Sequence, residues 1–162
     1  MMKEQYRVHR LCLLDVPRIF ATEKILYDCG KNMAARYDLH HWDNAHVKWL
    51  LILGMCLLKN KVYVVSAADG QIVATYQTKQ TSGKLLFEKL ATSPLHAGKG
   101  IGSFCMGEIE EAAEKSGCDS VYCEVYDKSR HALRFYENRG YIILGEDVTR
   151  KYTVVQMCKK LG

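Results

Sequence analysis

The feature that most constrains this chain is the run Ser93-Pro94-Leu95-His96-Ala97-Gly98-Lys99-Gly100-Ile101-Gly102-Ser103. A strand-like segment stops at Pro94, which cannot donate to a ladder. Three glycines then alternate with other residues and lead straight into a helical pattern. Glycine lets a backbone approach a ligand closely and lets successive N–H groups point into one concavity. The unpaired donors and partial positive charge of the helix start add to it, making an anion site suited to a pyrophosphate. Two better-known glycine motifs fail. The spacing of Gly102 and Gly107 suits a Walker loop, but Glu108 stands where Lys is needed. Gly98 and Gly100 begin a dinucleotide fingerprint that Ser103 breaks at its third position. A glycine-rich loop can also be only a turn; its position between strand and helix is what raises phosphate binding.

The rest of the sequence has the proportions of a globular domain. With 162 residues, 48% hydrophobic and 25% charged, residues 1–162 are expected to form one domain with an ordinary core. The 23 Lys and Arg against 18 Asp and Glu give +5, spread along the chain, so no nucleic-acid partner is expected. Seven cysteines, odd in number and without a Cys-x-x-Cys pair, suit a reducing, cytoplasmic setting rather than a disulfide or zinc framework. MMKEQYRVHR does not resemble a signal peptide. The longest apolar run, Trp49 to Leu58, is about half of the ~20 residues a membrane span needs, so no membrane role is expected.

Periodicity predicts a strand over Tyr6–Leu11 and a helix opened by Asp15 and Pro17, with Ile19, Phe20, Ile25 and Leu26 as its apolar residues. A second helix is expected over Asn44–Lys59, apolar enough in its second half to imply burial or a subunit contact. Strands follow over Lys61–Ala67, Ile72–Thr78 and Lys84–Thr92, separated by turns at Asp69-Gly70 and Ser82-Gly83. After the glycine loop come a helix closed by Gly117, a strand over Asp119–Tyr126 and a helix over Ser129–Arg139 closed by Gly140. The last two strands are Tyr141–Leu144 and Tyr152–Cys158. The order β-α-α-β-β-β-α-β-α-β-β predicts an α/β (mixed-sheet α+β) fold with helices on both faces.

The second chemical feature is Ser129-Arg130-His131-Ala132-Leu133-Arg134-Phe135-Tyr136-Glu137-Asn138-Arg139-Gly140-Tyr141. Ser129 is a candidate N-cap. Ala132, Phe135 and Tyr136 share one helix face, and Tyr136 is either a core tyrosine or one whose hydroxyl reaches past the sheet edge. The glycine loop, followed about 30 residues later by A-L-R-F-Y-E-N-R-G-Y, resembles the GNAT acetyltransferase superfamily, as do the strands F-E-K-L-A-T and C-E-V-Y. The resemblance is strong over Leu85–Leu144 and looser over Tyr6–Thr78. It implies a mixed sheet splayed between its fourth and fifth strands, with acetyl-coenzyme A (acetyl-CoA) in the cleft. It further implies that Gly98, Lys99, Gly100, Ile101, Gly102 and Ser103 present backbone groups to the pyrophosphate. Leu90 and Thr92 would pair with the pantetheine arm, Tyr136 would face the sulfur, and Glu88 would be a general base. Ala97 and Ser129 complete the coenzyme-binding positions the resemblance implies, and both depart from the family pattern: Arg or Gln is usual at the first and Asn is common at the second. Lys99 or His96 is expected to supply the missing phosphate contact.

Acetyl transfer to an amine needs that amine neutral, and an alkylammonium of pKa about 10.4 must first lose its proton. Glu88, with Glu124 on the next strand as runner-up, is the expected base, directly or through one water; each can equally be a surface carboxylate in a salt bridge. The N–H of Leu90 or Thr92 would support the oxyanion, and Tyr136 would protonate the departing thiolate. Cys123 and Cys105 read as core thiols, so no acyl-enzyme is expected. On the acceptor side, His41 and Trp42, beside His40 and Asp43, either shape the acceptor pocket or form a loop whose Trp packs on the core. Adjacent histidines point apart and lack a third ligand, so no metal is expected. The expected partner is a small-molecule or peptide amine; the rival reading is a coenzyme-binding sensor without turnover. The Leu50–Leu58 segment leaves monomer and homodimer both open.

Overall fold

The computed structural model describes residues 5–42, 46–148 and 152–162, without the side chains of residues 46 and 47. Met1–Glu4, Asp43 and the expected helix start at Asn44 lie outside the described residues. The elements are β1 (Tyr6–Arg10), α1 (Val16–Tyr37), α2 (His46–Lys59), β2 (Lys61–Ala67), β3 (Ile72–Thr81), β4 (Lys84–Thr92), α3 (Ile101–Lys115), β5 (Ser120–Tyr126), α4 (Arg130–Glu137), β6 (Ile142–Val148) and β7 (Thr153–Lys160). The strands form one mixed sheet in the order β1-β2-β3-β4-β5-β7-β6, the α/β architecture expected from the sequence. The chain divides into two compact units: the chain up to Thr78 with Lys89–Glu108, and Lys79–Glu88 with Ile109–Gly162.

In the first unit β1 and β2 pair antiparallel from Tyr6↔Ala67 to Arg10↔Tyr63, and β2 pairs antiparallel with β3. Helix α1 starts where Asp15 accepts the Arg18 amide at 3.4 Å, with Pro17 in its first turn. It ends at Asp38, whose left-handed φ of 55° lets the Asp38 and Leu39 amides reach the carbonyls of Ala34 and Met33. Its buried stripe is Thr22, Glu23, Ile25, Leu26 and Gly30. Phe20, expected among the apolar residues, is 54% exposed, because it lies about 100° round the helix from Ile19. Helix α2 buries Trp49, Leu53 and Cys56, an i, i+4, i+7 row.

In the second unit β5 pairs antiparallel with β7 along its whole length, from Ser120↔Lys160 to Tyr126↔Val154, and β7 pairs with the edge strand β6. β4 joins β5 in parallel over Lys84↔Ser120, Leu85↔Val121 and Leu86↔Tyr122. The final strands start one residue later and run further than expected, and Tyr141, the expected start of the first of them, is instead drawn into the core at 2% exposure.

Candidate active site

In the first unit, β4 carries Leu90 and Thr92, both half-buried, towards the glycine loop. Lys89 lies within the strand at φ 48°, a left-handed conformation that strains a non-glycine residue. The Ser93 amide ties the strand end to the Val73 carbonyl at 2.8 Å. A short 3-10 turn over Pro94–His96 follows. The Ala97 and Lys99 amides donate to the carbonyls of Pro94 and His96, at 3.3 and 3.4 Å. Gly98 and Gly100 adopt φ 77° and 75°, and a Cβ added to Gly98 would meet nothing within 4 Å. The Gly100 carbonyl accepts the Phe104 amide at 3.0 Å, which leaves Ile101, Gly102 and Ser103 as first-turn donors without an intrahelical carbonyl. Buried Ile101, Phe104 and Cys105 anchor this turn, with Phe104 5.3 Å from the Tyr6 ring. Lys99 and Ala97 are exposed, whereas His96 turns its Nδ1 back towards the Ser93 hydroxyl, 3.4 Å away.

The acceptor-side residues also lie in this unit. Trp42 meets Trp49 edge-to-face at 5.5 Å, and His41 meets Trp42 at 6.2 Å. Trp49 belongs to a core cluster with Ile25, Leu26 and Ala91, against which Trp42 packs. Gly30 permits this approach, since a Cβ there would lie 2.1 Å from the Trp42 carbonyl oxygen. Cys29 was not singled out from the sequence. Burial pushes its thiol up to about 11, partly offset by a hydrogen bond with the Thr92 backbone; only the periodicity of α1 could have placed it on that side.

In the second unit, Tyr136 is buried, with ring centroids 5.6 Å from Phe87, 5.2 Å from Phe135 and 5.7 Å from Tyr141. The buried face of α4 is Leu133 with Tyr136, while Ala132 and Phe135 are half-buried. Ser129 occupies the N-cap position, but its side chain makes no capping bond. Instead its carbonyl accepts the Ala132 and Leu133 amides, both at 3.0 Å. Glu110 anchors the end of this region: it accepts from Lys159 at 2.9 Å, Arg139 at 3.3 Å and the Tyr141 hydroxyl at 3.4 Å. Burial, reinforced by the Glu110 charge, raises the Tyr141 hydroxyl pKa. Nothing local in the sequence marks Glu110 as the partner of residues so distant.

Both candidate bases stand two residues beyond the last β4–β5 pair, Leu86↔Tyr122. Strand alternation therefore sets Glu88 and Glu124 on one face and Phe87, with Tyr136 against it, on the other. Lys84, 4.9 Å above the Tyr122 ring, marks the first face. Glu124 is exposed and Glu88 half-buried. Cys123 is 2% exposed, and burial, with Cys158 and Glu124 adding, pushes its thiol up to about 12. Among the described residues no group of three His, Cys, Asp or Glu could hold a metal ion.

The fold is shared with solved acetyltransferases. A PaiA N-acetyltransferase from Thermoplasma acidophilum, solved with coenzyme A, superposes with a TM-score of 0.73 at 16% identity, covering 96% of this chain and 99% of that one. The ribosomal-protein-S18-alanine N-acetyltransferase from Escherichia coli gives 0.68 at 15% identity, covering 96% and 93%. Nourseothricin acetyltransferase gives 0.57 at 22% identity over 63% of this chain, and the match spans 65% of that protein's length. A search of curated proteins finds no match to the sequence. Residues 22–141, which contain both the glycine turn and Tyr136, match the family described as Acetyltransferase (GNAT) family, and the chain belongs to that family.

Proposed function

We propose that the protein, acting as one domain over residues 1–162, uses acetyl-CoA to acetylate a primary amine of a small molecule or peptide in the cytoplasm. The observation that carries this reading is the glycine turn, where two left-handed glycines lead an open backbone into the donors of α3. Diphosphate oxygens fit such a turn because the donors are already fixed and need no side chain. The Lys99 ammonium adds a point charge that Ala97 cannot provide, and the backbone edge at Leu90 and Thr92 offers strand-like pairing to an amide-bearing arm.

The chemistry falls to the second unit. From the face opposite Tyr136, beyond the Leu86↔Tyr122 pair, Glu88 or Glu124 takes the surplus proton from the incoming ammonium, directly or through one water. The neutral amine attacks the thioester carbonyl, forming the C–N bond; the nitrogen gives up its second proton to solvent as collapse breaks the C–S bond. The Tyr136 hydroxyl donates its proton to the departing sulfur and is reprotonated from solvent. The ring contacts to Phe87, Phe135 and Tyr141 keep that hydroxyl on a fixed vector, and Cys123, protonated at neutral pH, takes no part.

Melting the protein with acetyl-CoA, then following thiol release with a panel of amines, tests this. Saturation at about 100 times Kd adds about 2.7 kcal/mol, a rise of roughly 5 to 10 °C for a domain of this size. Binding together with amine-dependent release supports the reading. Binding without release from any amine favours a coenzyme-binding sensor, which Ala97 and the uncapped Ser129 side chain also suit. No binding rejects both.

A further inference from the structure

Helix α2 shows two apolar faces, and among the described residues only one is covered. Opposite the buried row stand Leu51, Met55 and Leu58, 67%, 57% and 74% exposed. Ile19 of α1 packs against the core cluster that holds Leu53 and Cys56, and Leu57 packs against the same cluster, so the start of α1 runs beside the second half of α2. That start adds Leu14, Val16 and Phe20, each at least half exposed. Between them these six large side chains, each leaving on the order of 100 Å² in water, expose roughly 600 Å². That is the upper end for a monomer's largest apolar patch and most of the ~800 Å² one partner gives a stable interface.

We infer that this face joins two copies of the chain, with α2 crossing α2 antiparallel on a two-fold axis. Leu51 and Leu58 are placed symmetrically about the Gly54-Met55 pair. An antiparallel crossing therefore sets each Leu51 over Leu58 of the second copy, and each Met55 over its Gly54. Such an isologous contact closes on itself. Gly54 sits mid-helix, where glycine is the poorest helix former after proline, yet a Cβ there would meet nothing within 4 Å. The described residues give no packing reason for glycine; a close approach by a second helix does. The exposed rim of Lys48, Lys59 and Lys61 brings like charges near one another, so salt should tighten association, whereas it weakens attachment to an anionic surface.

Sedimentation velocity of the full chain at micromolar concentration tests this. The expected result is a dimer that tightens with salt. Leu51→Glu with Leu58→Glu should weaken it at least tenfold. Gly54→Leu, which favours the helix and so should not lower the melting temperature, should also weaken it. A monomer at every concentration would overturn the inference. So would a dimer indifferent to these changes but lost on Ile143→Glu at the β6 edge, or a monomer that co-sediments with phosphatidylglycerol vesicles.

Discussion

The proposed function rests on two segments, 93–103 and 129–141, that would carry their chemistry in different parts of the chain. In the first, the proposed working atoms are main-chain amides on an exposed turn, so side chains would matter mainly through the φ angles they permit. In the second, the proposal needs one hydroxyl, which stands at the end of a ring packed among Phe87, Phe135 and Tyr141. A turn built from glycine can be spoiled by adding a methyl group. A packed tyrosine can be silenced by removing one oxygen, with the packing left intact. Binding and turnover should therefore be separable, one segment at a time.

Tyr136→Phe should give the largest effect. Loss of a positioned general acid lowers turnover by about ten- to a hundredfold, while coenzyme A affinity measured by calorimetry should hardly change. Unchanged turnover would leave Tyr136 as a core ring and end the contrast between the segments. Gly100→Val should do the reverse. At φ 75° an L-residue costs about 1–2 kcal/mol, so either the strain or the turned-away donors should weaken coenzyme A binding about tenfold. Turnover at saturation should survive, and equal losses in both parameters would show that the loop also orients the reacting group.

The sequence made the exposed segment easier to read than the packed one, for a physical reason. Local rules govern turns, strand ends and caps: β2 ends where a β-branched run meets turn residues, β4 runs from the Ser82-Gly83 turn to the stop at Ser93-Pro94, and Asp15 caps α1 as expected. Contacts between distant residues obey no local rule. Glu110 collects Arg139, Tyr141 and Lys159 across up to 49 positions, and Cys29 meets the Thr92 backbone. The left-handed Lys89 was hidden as well, because no glycine announces it. Trp42 was legible only as a choice between pocket and core, which its edge contact with Trp49 weights towards packing.

Glu110→Ala probes the packed segment through its support. Removing this carboxylate leaves two cations and a buried hydroxyl without their acceptor, at a cost of about 1–3 kcal/mol. Arg139 and Lys159, 23% and 28% exposed, recover some hydration, so urea denaturation should give a value in the lower half of that range. If Tyr141 holds the Tyr136 ring in place, turnover should fall with coenzyme affinity unaltered, as for Tyr136→Phe but more weakly. In the exposed segment, Lys99→Ala should lower coenzyme affinity a few-fold, with a flatter salt dependence, since one screened surface charge is lost. His96→Ala should change it less, because that ring already turns towards Ser93.

The smallest effect is expected at Cys123, which belongs to neither segment. Burial pushes its thiol up to about 12, so at neutral pH it stays protonated and is no nucleophile. Cys123→Ala should leave turnover unchanged, and an acyl-enzyme trapped on Cys123 would contradict direct attack. The same shift has a stability consequence. In the unfolded chain the thiol loses its proton near 9, in the folded chain only near 12. The folded state therefore binds the extra proton between those values, and the stability held below about pH 9 is lost as pH rises towards 12. Cys105, also pushed up to about 12 by burial, acts in the same direction. The melting temperature should be level up to about pH 8.5 and fall above 9, and Cys123→Ala should make that fall shallower.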